Sequence, residues 1–170
     1  MKPTNKYTMK ETMDVAKQAS LEIEQYLWQQ PETLGVVNLE DDPYFQALDI
    51  DLAWETKDGV FLVEIKGDRY YRTGNYFFEV VSNQSKNSLG CFMYTEADFV
   101  FYYFIDEKEL HVLPMPQTRE WFNENKDRYQ QKTVSTSVGT GRYFTVGKLV
   151  PRDEVKGKQV VNLSVLDKMA

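Results

Sequence analysis

Asp51, Glu64 and Lys66 are the residues of this 170-residue chain whose types and spacing are best suited to chemistry. Glu64 and Lys66 lie in the run Val63-Glu64-Ile65-Lys66, and Asp51 precedes the apolar run Leu52-Ala53-Trp54. Two carboxylates beside a lysine can hold a divalent cation next to a water. Without a cation or hydrogen-bond donors, such a pair at the end of a mostly apolar hairpin pays for desolvation and repulsion. Oxygen ligands favour a hard ion, Mg²⁺ or Mn²⁺, which polarises a phosphoryl oxygen and acidifies a bound water. Lys66 then orients that water or neutralises charge developing on the phosphate. The competing reading is an exposed strand in which Lys66 bridges Glu64 and Asp51 as ordinary ion pairs.

The elements that must position these groups follow from periodicity. Residues 48–55 and 60–66 are apolar at strand length, and Lys57-Asp58-Gly59 reads as a tight turn between them. Side chains alternate across a strand, so Glu64 and Lys66 share one face while Val63 and Ile65 share the other. The hairpin sets Asp51 opposite Glu64. Asp49 falls on the same face as Asp51, so the pattern leaves open which of the two is the ligand.

Asp51, the apolar strand, the short turn and Phe61-Leu62-Val63-Glu64-Ile65-Lys66 together resemble the core of the PD-(D/E)XK, or restriction-endonuclease-like, nucleases. The spacing is similar to that of Holliday-junction resolvases, and the resemblance spans roughly residues 20–105. Thr73-Gly74-Asn75, Phe78-Glu79, Ser88-Leu89-Gly90 and Thr95-Glu96-Ala97-Asp98 are similar to a variant found in small phage-type nucleases. The chain departs from the family's name at Ile50, where proline would precede the acid.

The resemblance implies a Mg²⁺-dependent (or Mn²⁺-dependent) deoxyribonuclease. Asp51, Glu64 and the backbone carbonyl of Ile65 would be metal ligands, and Lys66 the catalytic lysine. Analogy alone favours an endonuclease on duplex or branched DNA over an exonuclease. Many members add a glutamate from the first helix. Residues 9–29 suit that helix, with Met9, Met13, Ala16, Ile23 and Leu27 at helical spacing and Pro31 past the end. Glu22 is preferred for its spacing to Tyr26-Leu27, with Glu24 the alternative at the opposite edge of the apolar arc. Glu79, in an apolar stretch, needs a partner. That partner is the metal, or else Arg69 or Arg72.

Charge bears on the partner. A net charge of −6 argues against a nucleic-acid enzyme, but the acidity is local. Residues 22–64 hold eleven acids and one base, a net of −10, which leaves +4 for the remainder. The candidate DNA contacts are Arg69, Arg72, Lys86, Arg142 and Lys148, with Arg152, Lys156 and Lys158 in the same basic tail. The alternative function is a catalytically silent nuclease-fold protein that meets a protein partner through its acidic surface.

Cys91 and His111 are the only cysteine and histidine, which excludes an internal disulfide and cysteine-based zinc sites. No stretch approaches a membrane span and the polar start lacks signal-peptide character, so a cytoplasmic location is expected. A homodimer is expected if both strands of a duplex are cut together. The fold class implied is α/β: a single domain over residues 1–170, with a central mixed β-sheet flanked by helices on both faces and a C-terminal extension of the core from about residue 115. Within it, residues 99–105 read as a central strand, 109–113 as a strand, 116–129 as a helix and 143–150 as a strand. Residues 160–165 read as a further strand. The Ser/Thr/Gly-rich residues 133–142 read as a loop that closes over a substrate or simply connects.

Overall fold

A capping box opens the first helix: Thr8 Oγ1 accepts from the Glu11 N–H, and the Glu11 carboxylate accepts from the Thr8 N–H. Helix α1 (Met9–Trp28) therefore begins directly after the short strand β1 (Asn5–Thr8). The computed structural model describes residues 5–164. The buried face of α1 is the i, i+4 row Val15, Ala19, Ile23 and Leu27. Met13 is 62% exposed and Ala16 is also exposed, which corrects the expectation that both face inward. The reason lies in how closely the helix approaches β4 (Gly59–Asp68): a Cβ at Gly67 would stand 3.0 Å from both Ala19 and Val15. Small residues at 19 and 67 select the face that packs.

Nine further strands and three further α-helices follow among the described residues. They are β2 (Thr33–Asn38), α2 (Pro43–Ala47), β3 (Leu52–Thr56), β5 (Asn75–Asn83), β6 (Ser88–Leu89), α3 (Cys91–Tyr94), β7 (Phe99–Phe104), β8 (Glu109–Pro114), α4 (Gln117–Asn125), β9 (Gln131–Val138), β10 (Gly141–Pro151) and β11 (Gln159–Asn162). The 57–58 turn closes the β3–β4 hairpin, with Gly59 at φ +137°. Six strands form a mixed sheet in the order β11-β8-β7-β4-β3-β2, in which β4 and β7 are parallel. Five form a second mixed sheet, β1-β9-β10-β5-β6, in which β1 and β9 are parallel.

The fold is thus α/β with a central mixed sheet, as expected, and it carries a second sheet that was not. Helix α1 covers one face of the six-stranded sheet, burying Leu52, Val63, Phe101, Tyr103 and Leu110 against Ile23 and Leu27. The five-stranded sheet takes the other face. Tyr76 and Phe78 of β5 and Val150 of β10 pack on Val100, Tyr102, Phe104 and Leu113, with Phe92 of α3 and Phe122 of α4 completing the layer. Strand β7 is covered on both sides, and its aromatics are core.

Residues 133–142 are not a loop. Most of them belong to the β9–β10 hairpin, in which Thr133, Ser135 and Thr136 are buried between sheet neighbours. Threonine favours strands, and the turn itself is confined to the residues around Gly139 at φ +57°. After residue 115, strands β9 and β10 pair with β1 and β5 in the second sheet, while β11 pairs with β8 in the first. His111 is a buried strand residue: its Nδ1 meets the Tyr76 hydroxyl and its Nε2 lies 2.7 Å from Glu109. Of the expected strand at 160–165, residues 160–162 lie in β11, and Val165 falls outside the described residues. No helix among the described residues is long and apolar enough to cross a membrane.

Candidate metal centre

Four segments converge beside the middle of β4. The turn after α2 brings Asp49 and Asp51, β4 brings Glu64 and Lys66, β5 brings Glu79, and α3 brings Cys91 and Tyr94. Where a strand was expected from residue 48, α2 ends at its C-cap Leu48 and a turn follows. Asp42 caps this helix by accepting from the Tyr44 and Phe45 N–H groups, with Pro43 in its first turn. The chain then turns through Asp49 at φ 56° before β3 begins at Leu52. Both acids consequently reach Glu64 from a turn rather than from alternate positions of a strand.

That turn is clasped from a distance. Thr95 Oγ1 donates to the Asp49 carbonyl at 2.7 Å, and the Glu96 N–H donates to the Leu48 carbonyl at 3.0 Å. Asp98 then brackets β4, its Oδ2 accepting from Leu62 N at 2.7 Å and its N–H donating to the Leu62 carbonyl at 2.8 Å. Thr95-Glu96-Ala97-Asp98 thereby fixes the acid turn to the strand that carries Glu64.

Asp51 ends the β3–β4 ladder. Its N–H donates to the Val63 carbonyl at 2.9 Å, and its Oδ2 accepts from Ile65 N at 2.7 Å. The carboxylate substitutes for the next backbone acceptor that β3 no longer supplies. The N–H and C=O of a strand residue share one edge, so the Ile65 carbonyl lies on this same edge beside Asp51. The side chains of Asp51 and Glu64 are hydrogen-bonded to each other. Ligating atoms of Asp49, Glu64 and Cys91 lie within 4.8 Å of one another.

This crowding has an electrostatic signature. Burial, then Asp51, then Asp49, pushes the Glu64 carboxyl well above the usual carboxylate range. Burial and the neighbouring Asp51 raise Asp49 to about 6, and burial also raises Asp51. Oδ2 of Asp49 is buried without a hydrogen-bond partner. Burial likewise pushes up the Cys91 thiol, which is therefore neutral and a poor ligand for a hard ion. Glu64 and Asp49, whose ionisation is opposed by burial and by neighbouring carboxylates, together with Asp51 and the orphaned buried oxygen of Asp49, form a donor set that fits an oxygen-seeking divalent cation.

Lys66 pairs with neither Glu64 nor Asp51. Its Nζ donates to Glu79 Oε1 across the interface between the two sheets. Burial opposes the ammonium, but the Glu79 carboxylate outweighs it, so the lysine pKa is raised and the group stays charged. Glu79 thus joins the site through Lys66, not through Arg69 or Arg72. Gly90 makes the approach possible, because a Cβ there would stand 2.4 Å from the Glu79 backbone. Gly90→Ala is expected to force α3 away from β5 and to cost about 1–3 kcal/mol. Urea unfolding of the purified variant measures it.

A cleft of about 730 Å³ opens from this cluster between the two sheets. Its walls are β1 (Tyr7), the start of α1 (Glu11), the end of β4 with Arg69 and Tyr70, and β9 and β10 (Lys132, Tyr143). Glu22 and Glu24 do not line it. Glu22 lies on the opposite face of the six-stranded sheet, where it accepts from the Tyr103 hydroxyl and from Gln18 Nε2. The helix glutamate that does line the cleft is Glu11, and its carboxylate is committed to the capping box. Among the expected DNA contacts only Arg69 lines the cleft. Arg72, Lys86 and Arg142 are exposed elsewhere, and Lys148 reaches the Tyr129 carbonyl at 3.5 Å. Arg152, Lys156 and Lys158 donate to backbone carbonyls.

Cys91, Tyr94, Lys132 and Tyr143 are lining residues that no spacing signal marked, since each arrives from an element distant in sequence. No family model matches the chain, and neither a curated protein nor a solved structure matches it.

Proposed function

We propose that the chain is a metal-dependent deoxyribonuclease that hydrolyses a DNA phosphodiester by attack of water, as an endonuclease on duplex or branched DNA. The observation that carries this reading is the clustering of buried Glu64 with half-buried Asp49, backed by Asp51 on the neighbouring turn and next to a charged lysine, beside an open cleft. The likeness of Asp51 and Glu64-Ile65-Lys66 to the PD-(D/E)XK pattern supports it. Asp49, Asp51, Glu64 and the Ile65 carbonyl are the groups that would hold Mg²⁺ or Mn²⁺. Once bound, the ion supplies Lewis-acid polarisation of the phosphate and an acidified water.

The chain's own residues supply the rest. The Ile65 N–H holds the Asp51 carboxylate in place. Glu79 keeps the Lys66 ammonium charged and facing the cleft, where it can neutralise charge developing on a phosphoryl oxygen. The described residues contain one such cluster, so cutting both strands of a duplex calls for a homodimer or two successive events.

The test is cleavage of plasmid, single-stranded and branched DNA with Mg²⁺ or Mn²⁺. Wild type is expected to cut, with Lys66→Ala slower by about a hundredfold or more. No cutting of any substrate overturns the reading. The Lys66–Glu79 pair favours a second reading, since it occupies the lysine in the absence of DNA. On that reading the chain is a silent nuclease-fold protein whose acidic surface meets a protein partner, and wild type and Lys66→Ala are equally inert.

A further inference from the structure

We propose that the cleft beside the carboxylates takes a single unpaired DNA strand, with a base stacked on Tyr70, and that an intact duplex is excluded from it. This inference rests on the nuclease reading and narrows its substrate from duplex or branched DNA to DNA that offers an unpaired strand. Glu64 is only 7% exposed and lies at the inner end of a cleft of about 730 Å³. Clefts of roughly 300–1,000 Å³ enclose molecules of drug size, which matches one or two nucleotides. A phosphodiester held in a duplex would have to stay at the rim.

The lining matches an unpaired strand. Tyr7, Tyr70, Phe77, Tyr94 and Tyr143 all border the cleft. Bases within a duplex have both faces stacked already, so only an unpaired strand offers faces to such rings. Duplex binding also draws on many phosphate contacts, typically about six to ten. Arg72, Lys86, Arg142 and Lys148 do not line the cleft, and the chain is acidic overall.

Tyr70 is built as a platform. Its N–H donates to Asp68 Oδ1 at 2.6 Å, and Asp68 is itself held by the Tyr102 hydroxyl. Lys132 lies over the ring, 5.8 Å from its centroid, and Tyr7 meets it in a T-shaped contact at 6.2 Å. The residue remains 46% exposed, with room for a base. Arg69, immediately before it, is half exposed and lines the cleft as a phosphate contact. Tyr70 lies four residues after Lys66, at most about 13 Å of extended chain. A base on Tyr70 therefore lies one or two nucleotides from a phosphate at Lys66.

Fluorescence anisotropy of the full chain in Ca²⁺, with labelled thymidine oligomers and a blunt duplex of equal length, tests the inference. Mn²⁺ cleavage of the same probes is measured in parallel. The single strand is expected to bind at least tenfold more tightly than the duplex. Tyr70→Ala should lose about tenfold of that affinity, and Tyr70→Phe should keep it. Equal or tighter duplex binding overturns the inference, as does an unchanged affinity for Tyr70→Ala. An RNA oligomer bound tenfold more tightly than its DNA counterpart also overturns it, in favour of RNA. Cleavage of the blunt duplex as fast as the single strand removes the inference and leaves the nuclease reading. Tight single-strand binding without cleavage of any probe removes the nuclease reading and leaves the strand site.

Discussion

Glu64→Gln is expected to lower metal-dependent cleavage by at least about a hundredfold while raising the melting temperature of the metal-free protein. The two effects have one cause. Glu64 is buried beside Asp51 and Asp49, and its ionised form is opposed first by desolvation and then by both neighbours. Glutamine keeps the volume, removes the charge and leaves the packing of β4 undisturbed. A gain of about 1 kcal/mol corresponds to roughly 2–4 °C for a domain of this size. Melting in EDTA at neutral pH measures the gain, and Mn²⁺-dependent cleavage measures the loss. A variant that melts lower than wild type in EDTA contradicts the account, because the carboxylate would then be stabilising without a cation. Such an exchange of stability for activity is common where like charges are held for function.

In the metal-free protein, the Asp49 carboxyl is expected to make stability fall as pH rises from about 4 to about 6. Its pKa is raised from 3.8 to about 6, by burial first and Asp51 next. The folded state therefore binds the proton more tightly than the unfolded chain. This contribution is fully present below the unfolded value and is lost as pH climbs through the folded one. Asp51, Lys66, Glu79, Tyr94, Glu64 and Cys91 all face or interact with this carboxyl, and the apparent value belongs to the coupled carboxyls Asp49, Asp51 and Glu64 rather than to Asp49 alone.

Asp49→Asn removes the titrating group and suits the left-handed backbone at this position. Relative to wild type, the variant should gain about 2–3 kcal/mol between pH 4 and pH 7. Denaturant melts of both proteins at the two pH values check this. Mg²⁺ at a hundredfold excess over its dissociation constant should stabilise wild type by about 2.7 kcal/mol at pH 7. At pH 4, where protons compete for the same oxygens, that stabilisation should vanish.

The hairpin and its register were legible because strand periodicity is local: residues 60–66, the 57–59 turn and the alternation of Glu64 with Ile65 needed no tertiary information. The span of α1 was legible from its apolar spacing and Pro31. Its buried face was not, because that choice depends on Gly67 meeting Ala19 across the sheet. The second sheet was hidden for a different reason. Its strands β9 and β10 bury threonine and serine, whose composition reads as loop when the partner strands are unknown.

At the site, Asp51, Glu64 and Lys66 were read from spacing, while the choice between Asp49 and Asp51 needed the turn that brings both to Glu64. The Lys66–Glu79 pair joins two sheets and leaves no periodic trace. Glu22 failed as a candidate because helical spacing fixes a position on α1 but not which face of the sheet the helix covers.

The most direct test of the central claim is a crystal of the full chain soaked in Mn²⁺ with data collected for anomalous scattering. An anomalous peak within bonding distance of Glu64 and of Asp49 or Asp51 is the predicted result. Full Mn²⁺ occupancy elsewhere on the molecule with none among these carboxylates would contradict it.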